Sequence, residues 1–491
     1  MAKPEYDLCV IGGGSGGLVV AAGGATLGAK VALIEKRALG GDCLYHGCVP
    51  SKTLLHSAQV AHTMREAQRF GIPSTSPRVN VGAVMARVAE VIKAIEPHDS
   101  PERFRGLGVE VIFGAGSFLD AATFSVNGRK ITAKHFVLAT GSSPAIPPIE
   151  GLDRISCLTN ETVFELNEPV PALLVLGAGP IGVEMAQAFC RLGTQVHVVE
   201  ASSRILDKDD PDLAKIVQDS LTREGVKFHL GEKVERAEQA GDCIRMLMKD
   251  ENGREKVLEG SHLLIAAGRA ANVDALGLEA AGVKTDKRKL VLDSRLRTTN
   301  KRIYACGDVA GPYQFTHMAE YQAGVVLRNA LFHLPVKARP RAVPWCTFTD
   351  PELARVGLSE SEARDQAIAH RVYTFGFEDI DRAQTSNETA GFAKVVTSPG
   401  GEILGAAIAG AHAGELIHEY ALALNNKMKI SELSAVIHIY PTLAQINRRV
   451  ADERMKRKLT PAAKRAIRWI FGLRGPANNE SLHVNGKRAP T

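Results

Sequence analysis

The stretch Tyr6-Asp7-Leu8-Cys9-Val10-Ile11-Gly12-Gly13-Gly14-Ser15-Gly16-Gly17 decides the fold. Its apolar, β-branched opening predicts a strand, and the strand runs into glycines at G-x-G-x-x-G spacing: Gly12, Gly14 and Gly17, with Ser15 at the start of the next element. A small-residue stretch follows, then a second apolar run, Val31-Ala32-Leu33-Ile34, closing on Glu35. The same order returns later. Ala172–Leu176 leads into Gly177-Ala178-Gly179-Pro180-Ile181-Gly182, then a helical stretch, then Val196-His197-Val198-Val199-Glu200. In both copies the acid stands 18 positions after the last glycine.

Strand, glycine turn, helix, strand and acid make up a βαβ dinucleotide unit. The first glycine permits the tight turn, the second lets the backbone approach a pyrophosphate, and the third lets helix and strand pack closely. The helix N-terminus supplies free N–H groups and a favourable dipole. Two copies predict two bound dinucleotides. The chain has 491 residues, 45% hydrophobic and 23% charged, which predicts roughly three domains at ~100–200 residues each. Pro- and Gly-rich breaks fall at Gly141–Gly151 and Leu334–Pro344. No apolar run is long enough to span a bilayer, and MAKPEYDLCVIGGG lacks a signal core, so a cytoplasmic location is expected.

Directly after the first copy comes Gly40-Gly41-Asp42-Cys43-Leu44-Tyr45-His46-Gly47-Cys48-Val49-Pro50-Ser51-Lys52. In a regular helix, residues five apart have Cα atoms roughly 8 Å apart, beyond the ~4.4–6.8 Å a disulfide spans. A bond between Cys43 and Cys48 therefore needs a distorted backbone, which Gly47 can accommodate. A strained pair at a helix start is easily reduced, and the helix dipole favours the thiolate. A zinc site using His46, or two unrelated buried cysteines, are the competing readings. No second close cysteine pair supports zinc.

The segment GGDCLYHGCVPSK resembles the redox-active segment of the flavoprotein disulfide reductases, the class I pyridine nucleotide-disulfide oxidoreductases that include dihydrolipoyl dehydrogenase, glutathione reductase and mercuric reductase. The likeness runs over roughly residues 5–450. It implies an α/β fold with two Rossmann-like domains, for FAD and NAD, plus an α+β C-terminal dimerisation domain. The implied layout is 1–150 with 271–337 for FAD, 151–270 for NAD(P), 338–451 for the interface of a homodimer, and 452–491 as a basic tail with a disordered end. The resemblance assigns Gly12, Gly14, Ser15, Gly17, Glu35, Lys52, Gly116, Thr140, Gly141, Asp308 and His317 to FAD. It assigns Gly177, Gly179, Gly182, Glu200, Val234 and Gly268 to NAD. Cys48 would be the flavin-proximal thiolate, Cys43 the exchanging thiol, and Glu184 the carboxylate partner of Lys52. The implied activity is a relay from NAD(P)H through FAD to the cysteine pair and on to an acceptor that the sequence does not name. Glu200 ends its strand where a carboxylate would bond a free 2′-hydroxyl and repel a 2′-phosphate, so NADH is expected over NADPH.

The pattern breaks near the C-terminus. Disulfide-reducing relatives carry a His-Pro-Thr stretch followed by a glutamate. Here the chain reads His438-Ile439-Tyr440-Pro441-Thr442-Leu443-Ala444-Gln445, with Tyr440 in the histidine's place and Gln445 in the glutamate's. A phenol of unperturbed pKa ~10 yields its proton at pH 7 far less readily than an imidazole of ~6.5. In an extended segment His438 would share a face with Tyr440, and so stands as a substitute base or as a packed interface residue. Tyrosine there also suits mercuric ion reduction, although the terminal cysteine pair usual in mercuric reductases is absent. A flavoprotein bound to a complex or a membrane surface, with an idle relay, is the reading from another class.

The overall balance, 60 Lys+Arg against 54 Asp+Glu, has one source. Arg448–Arg474 holds ten basic and two acidic residues, leaving 50 basic against 52 acidic elsewhere. Thr460 and Pro461 predict a helix start. Ala463, Ala466, Ile467, Ile470 and Phe471 then recur at helical spacing, beside Lys464, Arg465 and Arg468. Such a helix suits an anionic membrane surface or an acidic partner, or else packs on its own dimer. No nucleic-acid module accompanies the charge.

Overall fold

The computed structural model describes residues 3–249 and 253–475. The chain forms two compact units that divide between Asp350 and Pro351.

In the first unit, Tyr6–Ile11 lies between Val31–Glu35 and Arg129–Leu138 and runs parallel to both. Glu110–Phe113 extends this sheet beyond Val31–Glu35, and Ile303–Ala305 pairs in parallel with Arg129–Leu138. Arg129–Leu138 also turns antiparallel into Thr123–Val126, which pairs with Gly116–Asp120. The central strand is buried on both faces, as its unbroken apolar run requires. On one face Tyr6, Cys9 and Ile11 pack with Phe118, Phe124 and Phe136, whose rings meet edge to face. On the other, helices Ser15–Thr26 and Thr316–Leu331 lie against Leu8, Val10 and Val137. The small-residue stretch explains that packing: a Cβ on Gly23 would meet Leu327 Cδ1 at 2.6 Å.

A second parallel sheet follows, in the order Lys227–Leu230, Gln195–Glu200, Ala172–Leu176, His262–Ile265. Helices Pro180–Arg191 and Pro211–Glu224 belong to this part, and Pro180–Arg191 packs on its strands. An antiparallel ribbon, Lys233–Ala240, Cys243–Lys249 and Glu255–Gly260, closes a core of Leu174, Val199, Met246 and Ile265. The chain leaves the first sheet through Ser142–Pro144 and returns through Arg269–Ala271, and these two segments pair antiparallel. The architecture is therefore α/β, with two Rossmann-like dinucleotide-binding domains in this unit.

The second unit is α+β. Its antiparallel strands run in the order Glu352–Gly357, Ile403–Gly410, Phe392–Thr397, Arg371–Gly376. Helix Gln445–Lys458 packs on the last two strands through Ile446, Val450 and Ala451. It runs unbroken across residues 451 and 452, and Arg454 donates to Tyr373 Oη and the Gly400 carbonyl. Thr460 then caps a separate helix, Pro461–Phe471, accepting from Ala463 N at 3.2 Å, and Pro461 is its first residue. The expected disordered end from 476 onward lies outside the described residues. Among the described residues, no helix is long and apolar enough to cross a membrane.

Candidate active site

The two glycine turns are built alike. Gly12 and Gly177 have φ of 109° and 107°, a region that disfavours side chains. A Cβ on Gly17 would lie 1.9 Å from Gly12 O, and one on Gly182 would lie 2.0 Å from Gly177 O. The acids repeat too. Glu35 accepts from Gly13 N (2.7 Å) and Arg37 N (2.7 Å), while Glu200 accepts from Ala178 N (2.8 Å) and Ser202 N (2.9 Å).

Both turns open onto one cleft of roughly 1260 Å³. Gly12, Gly14, Ser15, Glu35, Lys52, Thr140, Gly141 and Asp308 line its first half. Gly177, Gly179, Glu200, Val234 and Gly268 line its second. Gly17 and Gly182 stand behind the turns, where they set the helix against the strand. Gly116 and His317 are not among the lining residues. Gly116 begins an antiparallel strand, and His317 stacks on Phe315, with ring centroids 5.3 Å apart.

Helix Gly41–Tyr45 stops at His46, and a new helix, Cys48–Arg65, begins after Gly47. That interruption is the distortion the spacing demands. Cys43 and Cys48 meet at this interruption as two thiols hydrogen-bonded to each other. Cys48 is the first residue of its helix. The Cys43 thiol, the Thr316 hydroxyl (3.7 Å) and the Lys52 cation bring its pKa down to about 6, against burial and Glu184. The same hydrogen bond, with burial, pushes Cys43 up. Lys52 Nζ bonds Glu184 Oε2 at 2.8 Å and lies 4.4 Å above the Phe348 ring, and Glu184 Oε1 accepts from Phe348 N at 2.9 Å.

Three lining residues have no counterpart in the sequence reading. Arg269 donates to Ser142 Oγ (2.7 Å) and pairs with Asp42 (3.1 Å), and Ser142 Oγ donates to Asp308 (2.6 Å). Asn160 donates to Asp42 Oδ1 (3.0 Å) and the His46 carbonyl (3.2 Å). This network joins Asp308 to the short helix that carries Cys43. Burial raises the Asp308 pKa, and Ser142 and Arg269 oppose the shift.

Residues 6–323 match the model of the pyridine nucleotide-disulphide oxidoreductases, and residues 343–450 match that family's dimerisation domain. The chain belongs to this family. A mercuric reductase of Lysinibacillus sphaericus is 34% identical over 445 residues, 90% of this chain and 81% of that protein. A dihydrolipoyl dehydrogenase of Chlamydia trachomatis is 38% identical over 450 residues, 90% of this chain and 95% of that protein. Among solved structures, the Cu(II) complex of the HOCl-induced flavoprotein disulfide reductase RclA from Escherichia coli superposes with a TM-score of 0.81 at 28% identity, covering 90% of this chain and 99% of that one. The chain is thus an oxidoreductase of an FAD-dependent, pyridine nucleotide-using family that acts on sulfur groups, and it carries that family's dimerisation domain.

The oxidoreductase family's proton-shuttling position needs a correction. Residues 436–440 are irregular rather than a strand, and the His438 and Tyr440 side chains bond to different partners, Glu419 and Asp381. The His438 side chain is 6% exposed, with Nε2 3.0 Å from Glu419 Oε1, whose other oxygen accepts from Asn447 (2.8 Å). Tyr440 is 65% exposed and donates to Asp381 at 3.0 Å, which raises its pKa. The expectation rested on period-two alternation, which fails where the backbone is not extended.

Proposed function

We propose that the protein is an NADH-dependent flavoprotein oxidoreductase whose Cys43–Cys48 couple passes electrons to a thiophilic metal ion. The observation that carries the relay is the unequal environment of two adjacent thiols. Cys48, held low by its neighbours, is the thiolate at pH 7, and Cys43, held high, keeps its proton until it meets an acceptor.

The first half of the cleft fits FAD: glycine backbone at a helix N-terminus for the pyrophosphate, Glu35 for the ribose, and half-buried Asp308 towards the chain between them. Bound there, FAD supplies the two-electron exchange between NADH and the cysteine couple. Lys52, fixed by Glu184, places a cation beside the thiolate. Arg269 and Asn160 hold Asp42, in the helix that carries Cys43, and so orient Cys43. Glu200 favours the 2′-hydroxyl of NADH. Arg204, the nearest cation in sequence, lines the cleft but donates to the carbonyls of Asp207 and Asp209. The dimerisation domain supports a homodimer, and a need for NADH and reduced thiols supports a cytoplasmic location.

The metal-ion reading is favoured by Tyr440. Reducing a thiolate-bound Hg(II) or Cu(II) requires no proton delivered to a departing thiol, and His438 is already committed to Glu419. Alkylation after anaerobic NADH addition tests the relay. Starting from oxidised enzyme, two more thiols per chain should label, and neither gain should appear in Cys43→Ser. No gain in the parent enzyme overturns the relay. Turnover with Hg(II) or Cu(II) should exceed that with lipoamide or glutathione disulfide, and kcat/KM should be higher for NADH than for NADPH.

A further inference from the structure

From Met455 to Arg474 the chain carries seven basic residues and no acidic one. Helix Pro461–Phe471 sorts them. At 100° per residue, Lys464, Arg465 and Arg468 share one side, Ala463, Ala466, Ile467 and Ile470 share the opposite side, and Trp469 and Phe471 lie at the two borders. No residue of this helix is buried. Trp469 is 87% exposed, Ile470 62% and Phe471 70%, and Leu473 is exposed just beyond. Met455 and Leu459 extend the exposed apolar surface back towards the preceding helix.

A solvated helix laced by ion pairs would alternate charge along its face, and here Arg465 and Arg468 form no ion pair among the described residues. Outside Met455–Arg474 the chain holds 53 basic and 54 acidic residues, so the positive excess is confined to this segment. We infer that helix Pro461–Phe471 docks the enzyme on an anionic lipid surface, its apolar side among acyl chains and its basic side among headgroups. An apolar arc bordered by an indole and faced by Lys and Arg is the chemistry of an interfacial helix. An acidic protein groove would require anions, but not this open arc of Trp, Ile and Phe.

Flotation of the FAD-loaded full chain with vesicles tests this. The enzyme should float with vesicles of equal parts phosphatidylglycerol and phosphatidylcholine, not with phosphatidylcholine alone, and high salt should release it. Ile470→Glu, and separately Arg465→Glu with Arg468→Glu, should weaken binding by roughly tenfold or more, with NADH-dependent turnover unchanged. Equal flotation of parent and variants, or none on anionic vesicles, overturns the inference. Dissociation of the dimer by Ile470→Glu in sedimentation velocity would assign the face to a second copy and overturn it as well.

Discussion

Cys48 and Cys43 titrate apart because each is the other's hydrogen-bond partner and only one stands beside a cation and at the start of its helix. The Cys48 pKa is depressed, so its thiolate persists above about pH 6 and protonates as pH falls through that value. Thiolate ultraviolet absorbance of the reduced protein should show this midpoint. Lys52→Met removes the cation and leaves Glu184 facing the sulfur, so the midpoint should rise. Glu184→Gln removes the opposing charge, so it should fall. A midpoint unmoved by either would remove Lys52 and Glu184 from thiol tuning. At this scale the cysteines, Lys52, Glu184 and both acids were legible, because each lies in a contiguous motif. Arg269 and Asp42 were not, since their contact spans more than two hundred positions without a local pattern. His438 was misplaced because its direction depends on a bend, not on spacing.

The two βαβ copies make a controlled pair of experiments. Each third glycine lets its helix approach a carbonyl that a methyl would strike, so the helix must move off the strand and carry its N–H groups with it. Gly17→Ala should yield protein depleted of flavin. Gly182→Ala should retain flavin and raise the KM for NADH by roughly tenfold or more, about 1.4 kcal/mol of binding. Retained NADH affinity in Gly182→Ala would show that the second turn does not seat the nucleotide. These elements were readable because glycine spacing, strand pattern and terminal acid agree in both copies. The helix break at Gly47 was foreseen from the cysteine spacing, whereas the boundary expected between 451 and 452 falls inside helix Gln445–Lys458. Its composition turns basic there, but its packing on Arg371–Gly376 continues through Arg454.

On the scale of the whole molecule, the second unit leaves Leu422, Ile437, Ile439 and Tyr440 exposed. Apolar surface of this kind on a dimerisation domain marks an interface. Ile437→Asp with Ile439→Asp should shift the protein from dimer to monomer in sedimentation velocity. If each site is completed by the second copy, turnover should fall with the dimer fraction, while NADH still reduces the cysteine pair. A stable dimer in the double variant would move the interface elsewhere. The charge excess is equally local: it resides in a C-terminal segment, so the catalytic body is nearly neutral.

The paired clasps at Glu35 and Glu200 have a consequence for recognition. Each carboxylate is anchored by two backbone N–H groups of its own domain, so its rotamer is fixed when the chain folds and not when the ribose arrives. Nucleotide capture therefore loses little side-chain freedom at either acid. Shortening either residue to aspartate would keep the charge but forfeit that readiness.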